Sequence, residues 1–307
     1  MTAKSTRRGV TIGTFDGMHR GHQEVVATLR HICEERGLKP LIMTFDRHPL
    51  SVIAPERTPR MLTPHEEKLR RIERCGMEHH TLIFTAGLAA VSARAWMRRL
   101  REEFDAEVLV IGYDNTFGCD GRSLGPDDYI RIGAEEDLEV VVAPVLSGIS
   151  SSAIRKAVSS GDIAAANEML GTPFMIEGIV EHGKALGRTL GFPTANISIE
   201  EGLAILPSGV YAAEVEIEDT QETYPAVVNI GVRPTVEDDG RMMIEAHLLD
   251  FSGNIYGKKA RIRFMSFIRP EQKFDSLESL KDRIAEDIIV CREREVKSKT
   301  PVKERIK

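Results

Sequence analysis

The sequence predicts an α/β fold in two parts, an α/β domain with a parallel sheet and then a small antiparallel β-barrel with a C-terminal helix. The chain has 307 residues, and at roughly 150 residues per domain this length suggests about two globular units. In the first half, short apolar runs alternate with helical patterns, as in parallel α/β sheets. After Gly171-Thr172-Pro173 the pattern changes to β-rich segments separated by Gly, Pro and Asp. We therefore place the two domains at residues 1–171 and 172–307.

The elements of the first half follow from hydrophobic periodicity. Apolar runs predict strands at Arg8–Thr14, Pro40–Phe45, Thr81–Phe84, Ala106–Tyr113 and Glu139–Val145. Helical spacing predicts helices at Gly21–Arg36, Ser92–Phe104, Pro126–Leu138, Ser152–Ser159 and Ile163–Leu170. A further helix should start at Thr63-Pro64-His65-Glu66, since these residues combine a Thr cap, a Pro in the first turn and a Glu three residues after the cap.

The second half predicts strands and one final helix. The strands are expected at Phe174–Glu181, Val210–Ile217, Tyr224–Ile230, Met242–Leu249 and Lys259–Phe267. The helix should run from Ser276 to about Val290, with one buried face formed by Leu277, Leu280, Ile284 and Ile288. The tail 292–307 holds seven basic and three acidic residues, which favours a solvated, frayed terminus over an interaction arm.

Composition narrows the functional class. Hydrophobic residues make up 42% and charged residues 29%, and the net charge is −6, so no general attraction to nucleic acid is expected. The longest apolar stretch, Val140–Leu146, is far shorter than the roughly 18 residues of a membrane span. The basic N-terminus lacks the apolar segment of a secretory signal, so we expect no membrane association and a cytoplasmic location. The four cysteines form no Cys-x-x-Cys pair, which argues against disulfides and structural zinc. The oligomeric state is not predicted.

A first candidate site follows the N-terminal strand, in the segment from Gly13 to His22. Glycines allow tight turns there, and the free N–H groups of the helix start form an anion site. His19 and His22 lie three residues apart, so both imidazoles can face one bound phosphate. The chain contains neither the Walker motif nor Gly-x-Gly-x-x-Gly. The pattern therefore indicates a nucleoside triphosphate site of another kind.

Two later segments could complete this site. The hydroxyls of Ser150–Ser152 can cap a helix and contact phosphate, with Arg155 one turn later as a fixed cation; a plain N-cap is the alternative. Asp114 follows a predicted central strand at its carboxyl end, where open α/β sheets bind ligands.

A second candidate site is the Gly-rich segment 183–196. Its glycines alternate with Lys184 and Arg188, which suits a loop that surrounds phosphates, although such a segment can also be a simple hairpin connection. Thr194 and Asn196 lie two residues apart, hence on one side of an extended chain, and can bind Mg²⁺ and nucleotide oxygens together.

The motifs resemble one known family over essentially the whole chain. Gly-Thr-Phe-Asp-Gly-Met-His-Arg-Gly-His-Gln, residues 13–23, resembles the His-x-Gly-His nucleotidyltransferases and, more narrowly, the FMN adenylyltransferase module of prokaryotic bifunctional riboflavin kinase/FAD synthetases. Segments 44–49, 112–118 and 149–155 fit the same module. Pro193-Thr194-Ala195-Asn196 resembles riboflavin kinases, as do segments 207–211, 229–235, 245–251 and 268–271.

The resemblance implies a Rossmann-like nucleotidyltransferase domain and a riboflavin kinase domain. It implies ATP-dependent phosphorylation of riboflavin to FMN, then adenylylation of FMN to FAD with release of pyrophosphate, with Mg²⁺ as cofactor. In the transferase domain the implied ATP-binding residues are Gly13, Phe15, His19, His22, Asp114, Ser151 and Arg155, of which His19 and His22 are catalytic. In the kinase domain they are Gly183, Lys184, Gly187, Arg188, Thr194 and Asn196, of which Thr194 and Asn196 also serve Mg²⁺.

The resemblance also assigns two further roles in the barrel. Glu245 is implied as the general base for the ribityl hydroxyl, whereas from the residues alone it is a solvated edge-strand acid. Arg269 and the final helix are expected to close over the flavin ring. His247 should share the sheet face of Glu245 and pack against or orient it.

The sequence departs from the family at Arg47, where Pro is common, and at Asn115-Thr116. Two alternatives stay open. One is a nucleotidyltransferase for another acceptor, with a barrel that only binds ligand. The other is a non-enzymatic nucleic-acid module with the basic tail as its arm, which the aromatic content of 6% and the acidic net charge disfavour.

Overall fold

The computed structural model describes residues 6–183, 187, 190–218, 220, 222–232 and 242–299. The chain forms two compact units that divide between Ala153 and Ile154, earlier than the boundary placed at residue 171. The helix at 163–170 belongs to the second unit because the Asn167 amide donates to the Phe264 carbonyl at 2.9 Å and accepts from the Phe174 N–H at 2.6 Å.

The first unit is built on a five-stranded parallel sheet with the order β3-β2-β1-β4-β5, which confirms the predicted α/β class. The strands are β1 Arg8–Ile12, β2 Lys39–Phe45, β3 Glu78–Leu82, β4 Ala106–Ile111 and β5 Glu139–Val142. The helices are α1 Arg20–Arg36, α2 Leu50–Ile53, α3 His65–Arg74, α4 Ala86–Ala89, α5 Ala93–Phe104, α6 Pro126–Glu135 and α7 Ser151–Ser160, the last of which crosses the division between the units.

Both faces of this sheet are covered. Trp96 and Leu100 of α5 and Tyr129 of α6 belong to one buried apolar cluster, whereas Leu29 of α1 and Ile72 of α3 belong to another. This double coverage explains why the strands read as continuous apolar runs rather than as an alternating pattern.

The second unit is a closed six-stranded antiparallel barrel with the order β10-β7-β6-β11-β8-β9. Its strands are β6 Phe174–Glu181, β7 Ala195–Ile199, β8 Gly209–Ile217, β9 Thr223–Val232, β10 Met242–Leu248 and β11 Lys259–Arg269. The helices of this unit include α8 Ile163–Leu170 and α9 Leu277–Lys299. Barrel and terminal helix are as predicted, but β7 was not predicted as a strand.

Two local predictions were wrong. Thr63 does not cap α3; its hydroxyl accepts from the Gly17 N–H at 3.2 Å, so a tertiary contact replaces the local one. The apolar face predicted for α9 is also incorrect at its start, because Leu277 is 61% exposed, whereas Asp287 and Cys291 are buried. The helix also extends beyond Val290 to Lys299, into the tail expected to be frayed.

Candidate active sites

The loop after β1 lies where the sheet reverses its strand order. β1 pairs with β2 on one side and with β4 on the other, and ligands of such sheets bind beyond the carboxyl ends at this point. The loop makes a tight turn in which Phe15 and Met18 have φ values of 49° and 44° and Gly17 has 82°. Side chains other than glycine rarely adopt this left-handed conformation, so the turn is held by its surroundings.

Asp16 holds this turn from inside the protein. Its carboxylate is 0% exposed and accepts hydrogen bonds from the N–H groups of Leu62 at 2.9 Å and Thr63 at 3.2 Å. Buried carboxylates need such donors. Asp16 belongs to the first motif, but the motif did not predict that this residue is buried and holds the turn.

His19 is the N-cap of α1 and stacks on His22. The His19 Nδ1 accepts the backbone N–H of His22 at 3.3 Å, and the two rings are stacked with centroids 3.6 Å apart. Because Nδ1 is an acceptor here, the proton of the neutral His19 ring lies on Nε2. Both predicted histidines therefore lie together at the positive end of α1.

His22 is held in its neutral form. Burial lowers the pKa of His22 well below its ordinary value, and the charge of Lys68 lowers it further. The buried Nδ1 of His22 has no hydrogen-bond partner in the described part of the protein. His22 therefore contributes no positive charge at the start of α1.

Other predicted residues of this unit lie close to the turn. The Ser151 hydroxyl donates to the Asp16 carbonyl at 3.1 Å. The Ser150 hydroxyl accepts from the Ala153 N–H, so Ser150 caps α7. The Gly13 N–H donates to the Met43 carbonyl at 3.1 Å. Phe15 is buried against His22, with ring centroids 5.2 Å apart.

Four positions remain, namely Asp114 and Arg155, which were predicted to bind ATP, and Asn115 and Arg47, which depart from the family pattern. Asp114 is exposed beyond the end of β4, and Arg155 lies one turn after Ser151 on α7. Asn115 donates its amide N–H to the Ile12 carbonyl at 2.7 Å, and Arg47 forms an ion pair with Asp46. The departures from the family pattern are thus tied to the ends of β1 and β2.

In the barrel, three polar side chains stand in register on neighbouring strands. Glu245 of β10 pairs with Asn196 of β7 on one side and with Asn229 of β9 on the other. Directly opposed residues share one face of a sheet. The predicted base and the predicted magnesium ligand Asn196 are therefore adjacent, as the sequence could suggest only through the family resemblance.

Glu245 is perturbed in the direction expected of a base. Burial raises the pKa of Glu245, and the neighbouring charge of Glu271 raises it further. The Glu271 carboxylate also accepts from the Asn229 amide at 3.4 Å. A carboxylate with a raised pKa accepts a proton more readily.

Two glycines of the second motif lie so close to neighbouring atoms that a side chain would not fit. A Cβ on Gly183 would lie 1.8 Å from the Asn196 Nδ2, and one on Gly187 would lie 2.4 Å from the Phe192 carbonyl oxygen. The Asn196 side chain therefore occupies the space that a side chain at 183 would need. Lys184 and Arg188, also predicted here, lie outside the described residues.

Asn196 provides a neutral side-chain oxygen on the strand position opposite Glu245, and the Thr194 hydroxyl is a second neutral oxygen two residues earlier in the chain. Among the described residues, no group of three or more His, Cys, Asp and Glu residues could hold a metal ion. Hard oxygen ligands completed by phosphate oxygens suit Mg²⁺, and the side-chain oxygens of Thr194 and Asn196 are ligands of this kind.

His247 orients the start of β7. The Nδ1 of His247 lies 2.8 Å from the Pro193 carbonyl oxygen, and its ring meets Phe192 edge-on. Because a carbonyl oxygen only accepts, Nδ1 carries the proton. His247 thus fixes the backbone next to Thr194, rather than Glu245 itself.

Arg269 is buried at the end of β11. Its guanidinium forms a bidentate ion pair with the Asp287 carboxylate of α9, in which Nε donates at 3.0 Å and Nη2 donates at 2.8 Å. It therefore joins the last strand to the final helix, and its predicted contact with flavin stays a prediction.

A parallel α/β unit with the pair His19–His22 and a barrel with the row Asn196–Glu245–Asn229 together indicate a two-domain transferase. The family described as FAD synthetase matches residues 2–156, and the family described as riboflavin kinase matches residues 170–294. A protein of Bacillus subtilis named bifunctional riboflavin kinase/FMN adenylyltransferase is 36% identical over 285 residues, 91% of this chain and 89% of that protein. The chain therefore belongs to the bifunctional riboflavin kinase/FMN adenylyltransferase family.

Two further relatives extend the comparison. The Escherichia coli protein of the same name is 36% identical over 92% of this chain and 91% of its own length. The crystal structure of a macrolide-efflux protein from Streptococcus pneumoniae superposes with a TM-score of 0.85 at 30% identity, over 94% of this chain and 95% of that one. Within the described residues, none of the helices is sufficiently long and apolar to cross a membrane.

Proposed function

We propose that this chain phosphorylates riboflavin with ATP to give FMN and then adenylylates FMN with a second ATP to give FAD and pyrophosphate. One observation carries the proposal. The FAD synthetase match ends at residue 156 and the riboflavin kinase match begins at 170, so each falls almost wholly on one compact unit of the chain. Because both steps consume ATP, we place them in the cytoplasm.

In the kinase step, Glu245 accepts the proton of the ribityl 5′-hydroxyl. The hydroxyl oxygen forms a bond to the γ-phosphorus while the bond from that phosphorus to the β–γ bridging oxygen breaks, and ADP leaves. Phosphoryl transfer depends mainly on positioning and charge neutralisation. We therefore assign Thr194, Asn196, Gly183 and Gly187, with the undescribed Lys184 and Arg188, to holding ATP.

Mg²⁺ is assigned to the same place. When bound, it neutralises charge on the transferred phosphate. Thr194 and Asn196 would hold it through their side-chain oxygens, next to Glu245. Arg269 contributes by fixing α9 through Asp287, and we expect that helix to border the flavin.

In the transferase step, the FMN phosphate is itself the nucleophile, so no strong base is needed. One of its oxygens forms a bond to the α-phosphorus of ATP, the bond to the α–β bridging oxygen breaks, and pyrophosphate leaves. Developing charge is best stabilised by donors that are already in position. The imidazoles of His19 and His22 supply them, and Gly13, Phe15, Asp114, Ser151 and Arg155 complete the ATP site.

The test is chromatography of the products that the purified chain forms from riboflavin, ATP and Mg²⁺. We expect FMN to appear first and then to be converted to FAD. If no FAD forms, either from riboflavin or when FMN itself is supplied, the transferase assignment is refuted. Failure to consume riboflavin would refute the kinase assignment.

A further inference from the structure

A buried lysine lies next to the transferase loop. Lys68 of α3 is only 3% exposed, and its Nζ donates to the Phe45 carbonyl at 2.7 Å. Phe45 is the last residue of β2, so the ammonium lies at the carboxyl edge of the sheet, where ligands of this fold bind. The helical pattern around Lys68 gave no indication of this position.

Among the residues that the structure describes, none forms an ion pair that neutralises the charge of Lys68. Asp16 and Asp46 act on it electrostatically, but the Asp16 carboxylate accepts from the N–H of Leu62 and that of Asp46 from the N–H of Phe84. Within the described residues, no carboxylate lies at ion-pair distance from its Nζ. An ammonium has three donors, and in the part of the chain that the structure describes the Phe45 carbonyl accepts from one of them.

A buried charge without a close counter-ion is unfavourable unless a ligand uses it. The charge of Lys68 acts electrostatically on the start of α1, because it helps to lower the pKa of His22. The histidine pair supplies hydrogen-bond donors there, but His22 stays neutral. A polyphosphate bound at this helix start would therefore need its positive charge from elsewhere.

We propose that Lys68 is an anion-recognition residue of the transferase unit, with its ammonium attracting the phosphate held at the start of α1. The inference rests on the proposed adenylyl transfer. The phosphate can belong to ATP or to FMN. Removal of the Lys68 charge weakens the binding of ATP in the first case and of FMN in the second.

The charge of Lys68 changes near neutral pH. Burial lowers the pKa of Lys68 to about 8, although Asp16 and Asp46 act to raise it. Burial and the Lys68 charge also lower the pKa of His65, and the pKa of His22 is lowered as well, so both histidines stay neutral above pH 7. The ammonium is thus charged below its pKa, and its attraction for phosphate is lost as the pH rises through about 8.

The test compares Lys68→Met and Lys68→Arg with Lys39→Met, which removes the same charge from an exposed position of the same unit. FAD formation is measured with FMN and ATP varied separately, and calorimetry measures the binding of each. We expect Lys68→Met to lower kcat/KM about 10- to 100-fold, the usual range for a charge-assisted hydrogen bond. A rise in the KM for ATP alone assigns the triphosphate, and a rise for FMN alone assigns the FMN phosphate.

The pH profile separates charge from packing. We expect kcat/KM of the wild-type protein to fall as the pH rises through about 8, and Lys68→Arg, which retains its charge, to lack this fall. If Lys68→Met matches Lys39→Met, or if Lys68→Arg keeps the alkaline fall, the inference is wrong. Should Lys68→Met not fold, the Lys68→Arg profile decides alone. A wild-type protein that forms no FAD would instead refute the proposed function.

Discussion

Replacing Glu245 by Gln removes the proposed base and leaves the barrel intact. The side chain keeps its size and its place between Asn196 and Asn229, but it no longer accepts the hydroxyl proton. A general base contributes about 10²–10⁴ in rate, which corresponds to about 3–5 kcal/mol of activation free energy. We expect kcat for FMN formation to fall by that factor, with little change in the KM for ATP.

The structure also predicts the pH dependence of this activity. Since burial and the charge of Glu271 raise the pKa of Glu245, kinase activity should fall as the pH drops through a value above the ordinary glutamate range. Glu271→Gln removes the like charge, so the acid limb should move to lower pH. The wild-type limb is read from kcat between about pH 4 and 8, a range that brackets the ordinary glutamate pKa.

Stability provides the control. A carboxyl group whose folded-state pKa is raised makes folding more favourable as the pH falls through that pKa, and less favourable at neutral pH. Glu245→Gln should therefore be at least as stable as the wild type at pH 7 in thermal unfolding. Undiminished FMN formation by a folded Glu245→Gln protein would remove this residue from the mechanism.

Three further experiments probe the two sites. Replacing both His19 and His22 by Ala should abolish FAD formation while FMN formation persists; equal loss of both activities in a folded protein would contradict separate sites. His247→Phe removes the hydrogen bond to Pro193, worth about 1 kcal/mol, so the KM for ATP in the kinase assay should rise about fivefold, with rescue by His247→Asn; an unchanged KM would exclude the positioning role. Gly183→Ala places a Cβ 1.8 Å from the Asn196 Nδ2, so riboflavin phosphorylation should fall about 10²-fold, as for a misplaced catalytic group, and FAD formation from FMN should not change. A wild-type rate would show that Asn196 can move without loss.

The sequence predicted the large elements because their signals are local and long. Buried parallel strands give continuous apolar runs, and α1 shows its period over 17 residues. The strand β7, Ala195–Ile199, was missed because it directly follows a Gly-rich segment typical of loops.

The failed predictions share a physical cause, which is that tertiary contacts replaced local ones. The Thr63 hydroxyl was predicted to cap α3, but it forms hydrogen bonds with Gly17 and Asp16, which lie 46 and 47 residues earlier in the chain. In α9, the spacing of Leu277 predicted an apolar face, whereas the helix is held at Asp287 by the guanidinium of Arg269.

The candidate sites show the same division. Motifs placed the histidine pair and the Thr194–Asn196 segment, because glycine spacing and the family resemblance are visible in the sequence. Lys68 was not predicted, since a lysine in Glu-Glu-Lys-Leu on a helix reads as a solvated charge until burial is known. The contact of His247 with Pro193 likewise depends on strand pairing across 54 residues.

A mixture of two full-length variants, each with one of the two sites inactivated, tests the central claim most directly. Riboflavin and ATP are supplied to Glu245→Gln, to the variant with Ala at positions 19 and 22, and to an equimolar mixture of both, and FAD is quantified by chromatography. The account predicts essentially no FAD from either variant alone and FAD from the mixture, with FMN passing through solution between the two intact sites. If the mixture also fails while both proteins are folded, the two steps are not carried by separate sites on this chain.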